Sequence, residues 1–365
     1  MRLAEVVRGR DNNFNLIRFL AATAVVYGHA FGASGRDAAE PVLRVFGLGA
    51  GDLGVDVFFF ISGILVIKSF LGKSIAQFVW ARCMRIFPGL WVSSVLLVLA
   101  AGLFFSPLPA VEFWSRHDTL TYLARNATML PGIGCQETLP YALNAKDAAF
   151  NTSLWTLPHE LQMYMLLAAL GLLGGLRFPL IVGSVALIGA AAVVANKLFG
   201  IEALALDRAR FLYFFFSGAS AYLLRDRLVL SWRWFVAGIV VMLAVIAASS
   251  NHVLRQAALA GVLPYLVLWL AYVPKRFVRG FNRAGDYSYG IYIYALPIQL
   301  ALFATTVGSQ PIANFTLTML IVLLIAAASW HWLESRALRI PVPAVAAPRT
   351  PKIAPATSQS DRNLK

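Results

Sequence analysis

One stretch of the chain, residues 52–71, reads DLGVDVFFFISGILVIKSFL. A helix needs about 20 predominantly apolar residues to cross a membrane, because each residue adds about 1.5 Å against a hydrocarbon core of roughly 30 Å. The stretch has this length, and after its first residue only Asp56 and Lys68 are charged. It is therefore predicted to be a transmembrane helix.

The same template finds further candidates on both sides of this stretch. The ten predicted spans are Phe14 to Ser34, Asp52 to Leu71, Ile86 to Ser106, Trp155 to Leu176, Phe178 to Leu198, Phe211 to Leu224, Trp232 to Ser249, Val253 to Val273, Tyr287 to Val307 and Ile312 to Leu333. The predicted fold class is therefore all-α, a polytopic integral membrane protein built as a bundle of about ten transmembrane helices.

The composition of the 365 residues leads to the same class. Hydrophobic residues make up 59%, charged residues only 13%, and the mean hydropathy is +0.71, which excludes a water-soluble globule. A formal charge of +14 would suggest a nucleic-acid partner for a soluble protein. Most basic residues of this chain flank apolar segments, so no nucleic-acid partner is predicted. The two cysteines, Cys83 and Cys135, are too few for a disulfide scaffold and are predicted to lie on opposite sides of the membrane.

Basic residues are distributed unevenly between the two predicted sides. The side that carries both termini holds most of the Lys and Arg residues, so the positive-inside rule places both termini in the cytoplasm. The predicted domains are a cytoplasmic N-terminal segment, 1–13, a membrane domain, 14–340, and a disordered cytoplasmic tail, 341–365, which is rich in Pro, Ala, Ser and Thr. The long connection 107–152 faces the other side, where it either caps a substrate site or is a tolerated loop.

Ionisable residues inside the predicted spans are candidates for function, because their burial in lipid is costly. Arg18 and His29 share one face of the first helix, about 16 Å apart along its axis. Asp56 and Glu160 lie near the starts of two helices that begin on the side His29 approaches, so His29, Asp56 and Glu160 are predicted to meet at similar depth. A histidine beside a carboxylate can act as a general base. The alternative is that these groups hydrogen-bond one another only to fix helix packing.

Two arginines, Arg82 and Arg85, are predicted at the cytoplasmic start of the third helix. They are three residues apart and so share a helix face, where two planar guanidiniums suit contact with phosphate. The alternative is a purely topological role, since arginines at cytoplasmic helix ends follow the positive-inside rule.

Five ordered motifs span nearly the whole of Phe14 to Arg339. They are Arg18 followed by His29, Gly51-x-x-Gly54-Val55-Asp56-x-Phe58-Phe59-x-x-Ser62-Gly63, Arg82-x-x-Arg85-Ile86-x-Pro88, Leu154-Trp155-Thr156-Leu157-x-x-Glu160, and Ser288-Tyr289-Gly290-Ile291-Tyr292. Together these motifs resemble the acyltransferase 3 family. The resemblance implies a multi-pass enzyme of the bacterial inner membrane. Such enzymes move an acyl group, usually acetyl, from cytoplasmic acyl-coenzyme A to hydroxyls of extracytoplasmic glycans such as exopolysaccharide, lipopolysaccharide O-antigen or nodulation factors.

The resemblance also assigns roles to residues. It implies that His29 is essential, that Arg82 and Arg85 bind the acyl-coenzyme A donor, and that Arg18 and Glu160 support the site, with no metal. The family usually has an acidic residue where this chain has Asn15. From the residues alone, a proton-coupled transporter or flippase that uses His29, Asp56 and Glu160 as a relay is the alternative function. Direct transfer and a covalent relay of the acyl group both remain open.

Overall fold

The computed structural model describes residues 1–343 apart from 8, 10, 130–150, 202–204, 276, 304 and 306. Cys135, which was predicted to face the outside, and most of the predicted disordered tail lie beyond these residues. The described chain is all-helical and contains no β-strand, in agreement with the predicted fold class.

Ten helices of at least 16 residues make up most of the described chain, and each overlaps one predicted span. They are α1 (Phe14–Ala33), α2 (Ala50–Gly72), α3 (Ile75–Ala100), α4 (Thr156–Leu172), α5 (Pro179–Phe199), α6 (Leu206–Leu223), α7 (Trp232–Ala248), α8 (His252–Tyr272), α9 (Ser288–Phe303) and α10 (Pro311–Ser329). Single π-helical turns, Ala101–Phe105 and Trp330–Glu334, extend α3 and α10.

Six of these helices are long and apolar enough to cross a membrane: α1, α2, α3 with its extension, α5, α8 and α10 with its extension. The outer helices expose large apolar side chains, such as Leu180 on α5 at 87% and Leu324 on α10 at 75%. Such a surface is unfavourable in water and favourable in lipid. The protein is therefore a multi-pass membrane protein, while the count of ten crossings stays a prediction.

The centre of the bundle is formed by α2, which packs against α6 and α1. Helix α9 packs against α1 and α10, and most side chains of its first three turns are buried. A Cβ atom on Gly63 would lie 1.9 Å from the carbonyl oxygen of Phe215, and one on Gly218 would lie 2.1 Å from that of Phe60. Helices α2 and α6 thus touch backbone to backbone, which only glycine allows. Small residues commonly provide this kind of contact between membrane helices.

The contact of α1 with α2 provides a depth scale for the bundle. The two helices run antiparallel, with Gly28 packed on Gly51 and Val25 on Gly54. Extended along both helices at about 1.5 Å per residue, this register places His29 level with the start of α2 and Arg18 level with its midpoint, near Ser62. We call the end of the bundle beside His29 the far end, and the opposite end, where both termini of the described chain lie, the termini end.

The fourth helix was predicted to span the membrane, but in the structure it begins inside the bundle. Glu160 accepts a hydrogen bond from Ser62 of α2, about 18 Å from the start of that helix, so α4 begins roughly 12 Å inside the far end. The chain before it is also inside the bundle: Asn151 Nδ2 donates to the carbonyl of Ile293, and the Tyr292 hydroxyl donates to that of Ser153. Non-helical backbone at this depth is tolerated where protein surrounds it.

The third helix begins eleven residues earlier than predicted. Ser74 caps it, because its side chain accepts from the backbone N–H of Gln77 while the Gln77 side chain accepts from the Ser74 N–H. Arg82 and Arg85 therefore lie two and three turns inside α3 rather than at its cytoplasmic start. The prediction failed because the first turns of α3 carry polar residues that face a cavity instead of lipid.

Part of the connection 107–152 lies within the described residues. This part contains two helices, Ala110–Ser115 and His117–Thr128. The second is held against α3 by the indole N–H of Trp91, which donates to the carbonyl of Ala127.

Candidate active site

A charged cluster lies at mid-depth in the bundle. The guanidiniums of Arg18 and Arg85 contact the same carboxylate oxygen of Asp286, at 2.6 and 2.7 Å. The backbone N–H and hydroxyl of Ser288 donate to the other oxygen, at 3.3 and 2.5 Å. Burial opposes the charged form of Asp286, but the two arginines and Ser288 outweigh it and lower the pKa of this carboxyl to about 2. The cluster therefore joins α1, α3 and the start of α9 by fixed charges.

Glu160 belongs to this level of the bundle. Its carboxylate accepts a hydrogen bond of 3.2 Å from the Ser62 hydroxyl and another from Tyr164, one turn further along α4. The prediction that Glu160 lies at the depth of His29 is wrong, because α4 begins inside the bundle rather than at its surface. The structure brings Glu160 together with Arg18 and Arg85.

Two cavities meet at this charged level. The inner chamber, of about 60 Å³, extends toward the far end and is lined by Arg18, Val55, Phe58, Phe59, Ser62, Arg85, Ile86, Thr156, Leu157, Glu160, Ser288, Tyr289 and Tyr292. The vestibule, of about 1170 Å³, extends to the termini end, where its lining includes the exposed Lys73 and Arg339. Arg18, Ser62, Arg85 and Glu160 line both, so these four residues separate the chamber from the vestibule.

The two arginines that were predicted to act as a pair have different surroundings. Arg82 lines the vestibule with its guanidinium over the ring of Tyr164, 5.5 Å from the ring centre, and makes no ion pair with a described residue. Lys73 lies at the same mouth, and burial together with the charge of Arg82 lowers the pKa of its ammonium. Arg85, in contrast, is paired with Asp286. Of the two arginines, Arg82 is thus the one that remains available to a ligand in the vestibule.

His29 lies at the far end, away from Glu160. The carboxylate that interacts electrostatically with its ring is that of Asp52, and none of the described residues hydrogen-bonds to the ring nitrogens. Asp56 does not offer a free carboxylate to His29. It forms a buried ion pair with Arg210 of α6 at 2.9 Å. The predicted meeting of His29, Asp56 and Glu160 is therefore not observed.

Several residues of the site escaped the sequence analysis. Asp286 stands one residue before the predicted ninth span, and Arg210 one residue before the sixth, so both fall outside the search for charges inside spans. Each is buried because a partner of opposite charge lies on another helix. Their charge beside a predicted span was the signal that the sequence offered for these two residues. Ser62 stands in the second of the ordered motifs, whereas Tyr164 carried no signal.

Comparison with known proteins decides the family. A family model described as an acyltransferase domain, Acyl_transf_3, matches residues 11–331. The chain belongs to the acyltransferase 3 family. This acyltransferase is 30% identical to a protein named O-acetyl transferase from Shigella phage Sf6, over 90% of this chain and 96% of that protein. It is 28% identical to a protein named Nodulation protein 10 from Rhizobium leguminosarum bv. viciae, over 91% of this chain and 94% of that protein. No solved structure matches it.

The acyltransferase thus carries its polar groups at two depths. The mid-depth level combines two arginines, two carboxylates and hydroxyls between two adjacent cavities. The far-end level holds His29 near Asp52, and the Asp56–Arg210 pair lies one helical turn further into the bundle than Asp52. The chamber extends part of the way from the mid-depth level to the far-end level. Its wall residue Val55 lies about 8 Å along α2 from the level of His29.

Proposed function

We propose that this acyltransferase moves an acetyl group from acetyl-coenzyme A to a hydroxyl of an extracytoplasmic or lipid-linked glycan across the inner membrane of a bacterium, with both termini in the cytoplasm. The observation that carries the proposal is that the vestibule and the chamber lie end to end and share four lining residues, Arg18, Ser62, Arg85 and Glu160, with Arg82 on the vestibule side. The phage relative, named an O-acetyl transferase, supports the acetyl group and the hydroxyl acceptor.

The vestibule suits the donor in charge and in size. Coenzyme A is an anion with several phosphates, and Arg82, Lys73, Lys68 and Arg339 all line this cavity of about 1170 Å³. A planar guanidinium binds phosphate oxygens through two parallel hydrogen bonds. Arg82 therefore contacts a donor phosphate, while Arg85 and Arg18 hold Asp286 and shape the passage through which the pantetheine arm extends into the chamber.

His29 is the general base in this proposal. It takes the proton of the acceptor hydroxyl as the hydroxyl oxygen forms a bond to the acetyl carbonyl carbon, after which the carbon–sulfur bond breaks and coenzyme A leaves as its thiolate. Asp52 stabilises the imidazolium that forms. The ion pair of Asp56 with Arg210 holds α2 and α6 together beside the base.

Mass spectrometry of surface and lipid-linked glycans tests the proposal in cells that carry the wild-type gene, no gene, or the His29→Ala variant. We expect the mass of one acetyl group on a glycan only with the wild-type protein. Purified protein in liposomes that contain the glycan lipid should transfer label from acetyl-coenzyme A. A protein that transfers no acyl group but moves a solute with protons would instead be a transporter, the alternative that the buried charges also allow.

A further inference from the structure

The two ends of the inner chamber differ in polarity. One end, which we call the floor, is the charged level of Arg18, Arg85 and Glu160 that the chamber shares with the vestibule. The wall toward the far end is mainly apolar and includes Val55 and Phe58 of α2 and Leu157 of α4. A group that reaches the chamber from the vestibule passes the charged level and then meets this apolar wall.

The size of the chamber limits what it holds. A cavity needs on the order of 10–15 Å³ to accept one group of the size of water, so about 60 Å³ is space for only a few such groups. An acetyl group and its thioester sulfur amount to four non-hydrogen atoms. A butyryl thioester has two methylenes more, which would press against the apolar wall.

The charges at the floor already balance. The guanidiniums of Arg18 and Arg85 are matched by the carboxylates of Asp286 and Glu160, and both arginines contact Asp286 directly. A succinyl group would bring a further carboxylate into the chamber without a cation of its own. An unpaired buried charge is strongly disfavoured.

We propose that the inner chamber holds the acyl group of the donor, that its walls restrict transfer to acetyl, and that Phe58 is the residue that sets the chain-length limit. This inference rests on the proposed function and adds the acyl specificity to it. Phe58 is the suitable wall residue because it is half-buried and its ring lies edge-on to Tyr292 across the chamber, at 6.2 Å between ring centres. Phe59, in contrast, is stacked on Phe211 in the core, so its truncation would disturb the fold.

The experiment compares acetyl-, butyryl- and succinyl-coenzyme A as donors for the purified protein in liposomes with its glycan acceptor. The wild-type protein should transfer acetyl and discriminate against butyryl, and it should transfer no succinyl. One methylene in a closed apolar pocket changes kcat/KM by roughly 10- to 200-fold. The Phe58→Ala variant should therefore lower the ratio of kcat/KM for acetyl-coenzyme A to kcat/KM for butyryl-coenzyme A by at least about tenfold. Succinyl-coenzyme A should still not be used.

Two further variants keep the test decisive. Phe70→Ala removes a half-buried ring from the same helix but from neither cavity, so its acetyl-to-butyryl ratio should equal that of the wild type. Where Phe58→Ala does not reach the membrane, Leu157→Ala opens the same chamber from α4 and should have the same effect.

The outcomes separate this inference from the proposed function. A wild-type protein that transfers acyl groups but uses butyryl as well as acetyl would overturn the inference, as would an unchanged ratio in an active Phe58→Ala protein. A wild-type protein that transfers no acyl group from any of the three donors would instead overturn the proposed function.

Discussion

Arg18 and Asp286 form an ion pair with an N–O distance of 2.6 Å between the first long helix and the segment that leads into the ninth. Asp286 is buried, and the same carboxylate oxygen also contacts Arg85 of α3. Three parts of the chain that are distant in sequence thus share one carboxylate. The loss of this single negative charge would leave the two largely buried guanidiniums without the carboxylate that both contact.

Asp286→Asn should therefore destabilise the protein strongly. Removal of one partner from a buried ion pair typically costs about 3–5 kcal/mol. Thermal unfolding in detergent should show a clear drop in Tm, together with the loss of acyl transfer. Asp118→Asn is the matched control, because its ion pair with Arg116 is partly exposed and should change the free energy of unfolding by less than about 1 kcal/mol. Equal stability of the wild type and Asp286→Asn would mean that the cluster does not hold the helices together.

The stabilisation that Asp286 provides should be lost at acidic pH. Its pKa is lowered to about 2 in the folded protein, so the stabilisation is complete above the ordinary aspartate pKa of about 3.9 and is lost as the pH falls toward 2. The difference in Tm between the wild type and Asp286→Asn should be constant from about pH 8 to about pH 5 and shrink below about pH 4. A difference that shrinks already near neutral pH would contradict this assignment.

His29 and Glu160 should contribute independently to the rate. The sequence alone suggested that they act as a base with its orienting partner, in which case the double variant would be little worse than either single one. The structure places them about 18 Å apart in depth without a shared hydrogen bond, and separated sites add in free energy. His29→Ala should lower the transfer rate by about 10²–10⁴, and the further change Glu160→Gln should multiply the loss. Rates measured in liposomes would reveal a saturating loss if the two residues act as one unit.

Substitution by lysine should have different effects at Arg82 and at Arg85. Arg82→Lys should weaken the binding of coenzyme A about tenfold or more, because a charged hydrogen bond contributes roughly 1.5–3 kcal/mol. Arg85→Lys should mainly lower Tm, since Arg85 is held by Asp286. Calorimetry of coenzyme A binding in detergent separates the two effects, and Arg283→Lys, an exposed residue outside both cavities, serves as the control. Unchanged affinity in Arg82→Lys would leave that residue with a topological role only.

Gly63 should tolerate no side chain. A Cβ atom there would lie 1.9 Å from the carbonyl oxygen of Phe215, so Gly63→Ala must push α2 and α6 apart. We expect little folded protein in the membrane fraction, or a Tm lowered by many degrees. Gly72→Ala at the end of the same helix meets no atom within 4 Å and should behave like the wild type. A stable Gly63→Ala protein would show that the contact can relax.

The sequence by itself determined the class of the protein and most of its helices. Apolar runs of the length of a bilayer are visible in one dimension, and all ten predicted spans overlap a long helix of the structure. The ordered motifs likewise predicted the family that the family model assigns to residues 11–331. These properties are local or linear, so no knowledge of the packing was needed.

The tertiary structure alone decided which charges meet and at what depth. Sequence spacing placed Glu160 beside His29 and put Arg82 and Arg85 at the start of the third helix, because it assumed that every helix begins at a membrane surface. Instead α4 begins inside the bundle and α3 begins at Ile75, which brings Glu160 to the level of Arg18 and leaves Arg82 in the vestibule. The physical reason is that a buried charge is stabilised by its partner on another helix, and the identity of that partner depends on packing, which no single stretch of sequence contains.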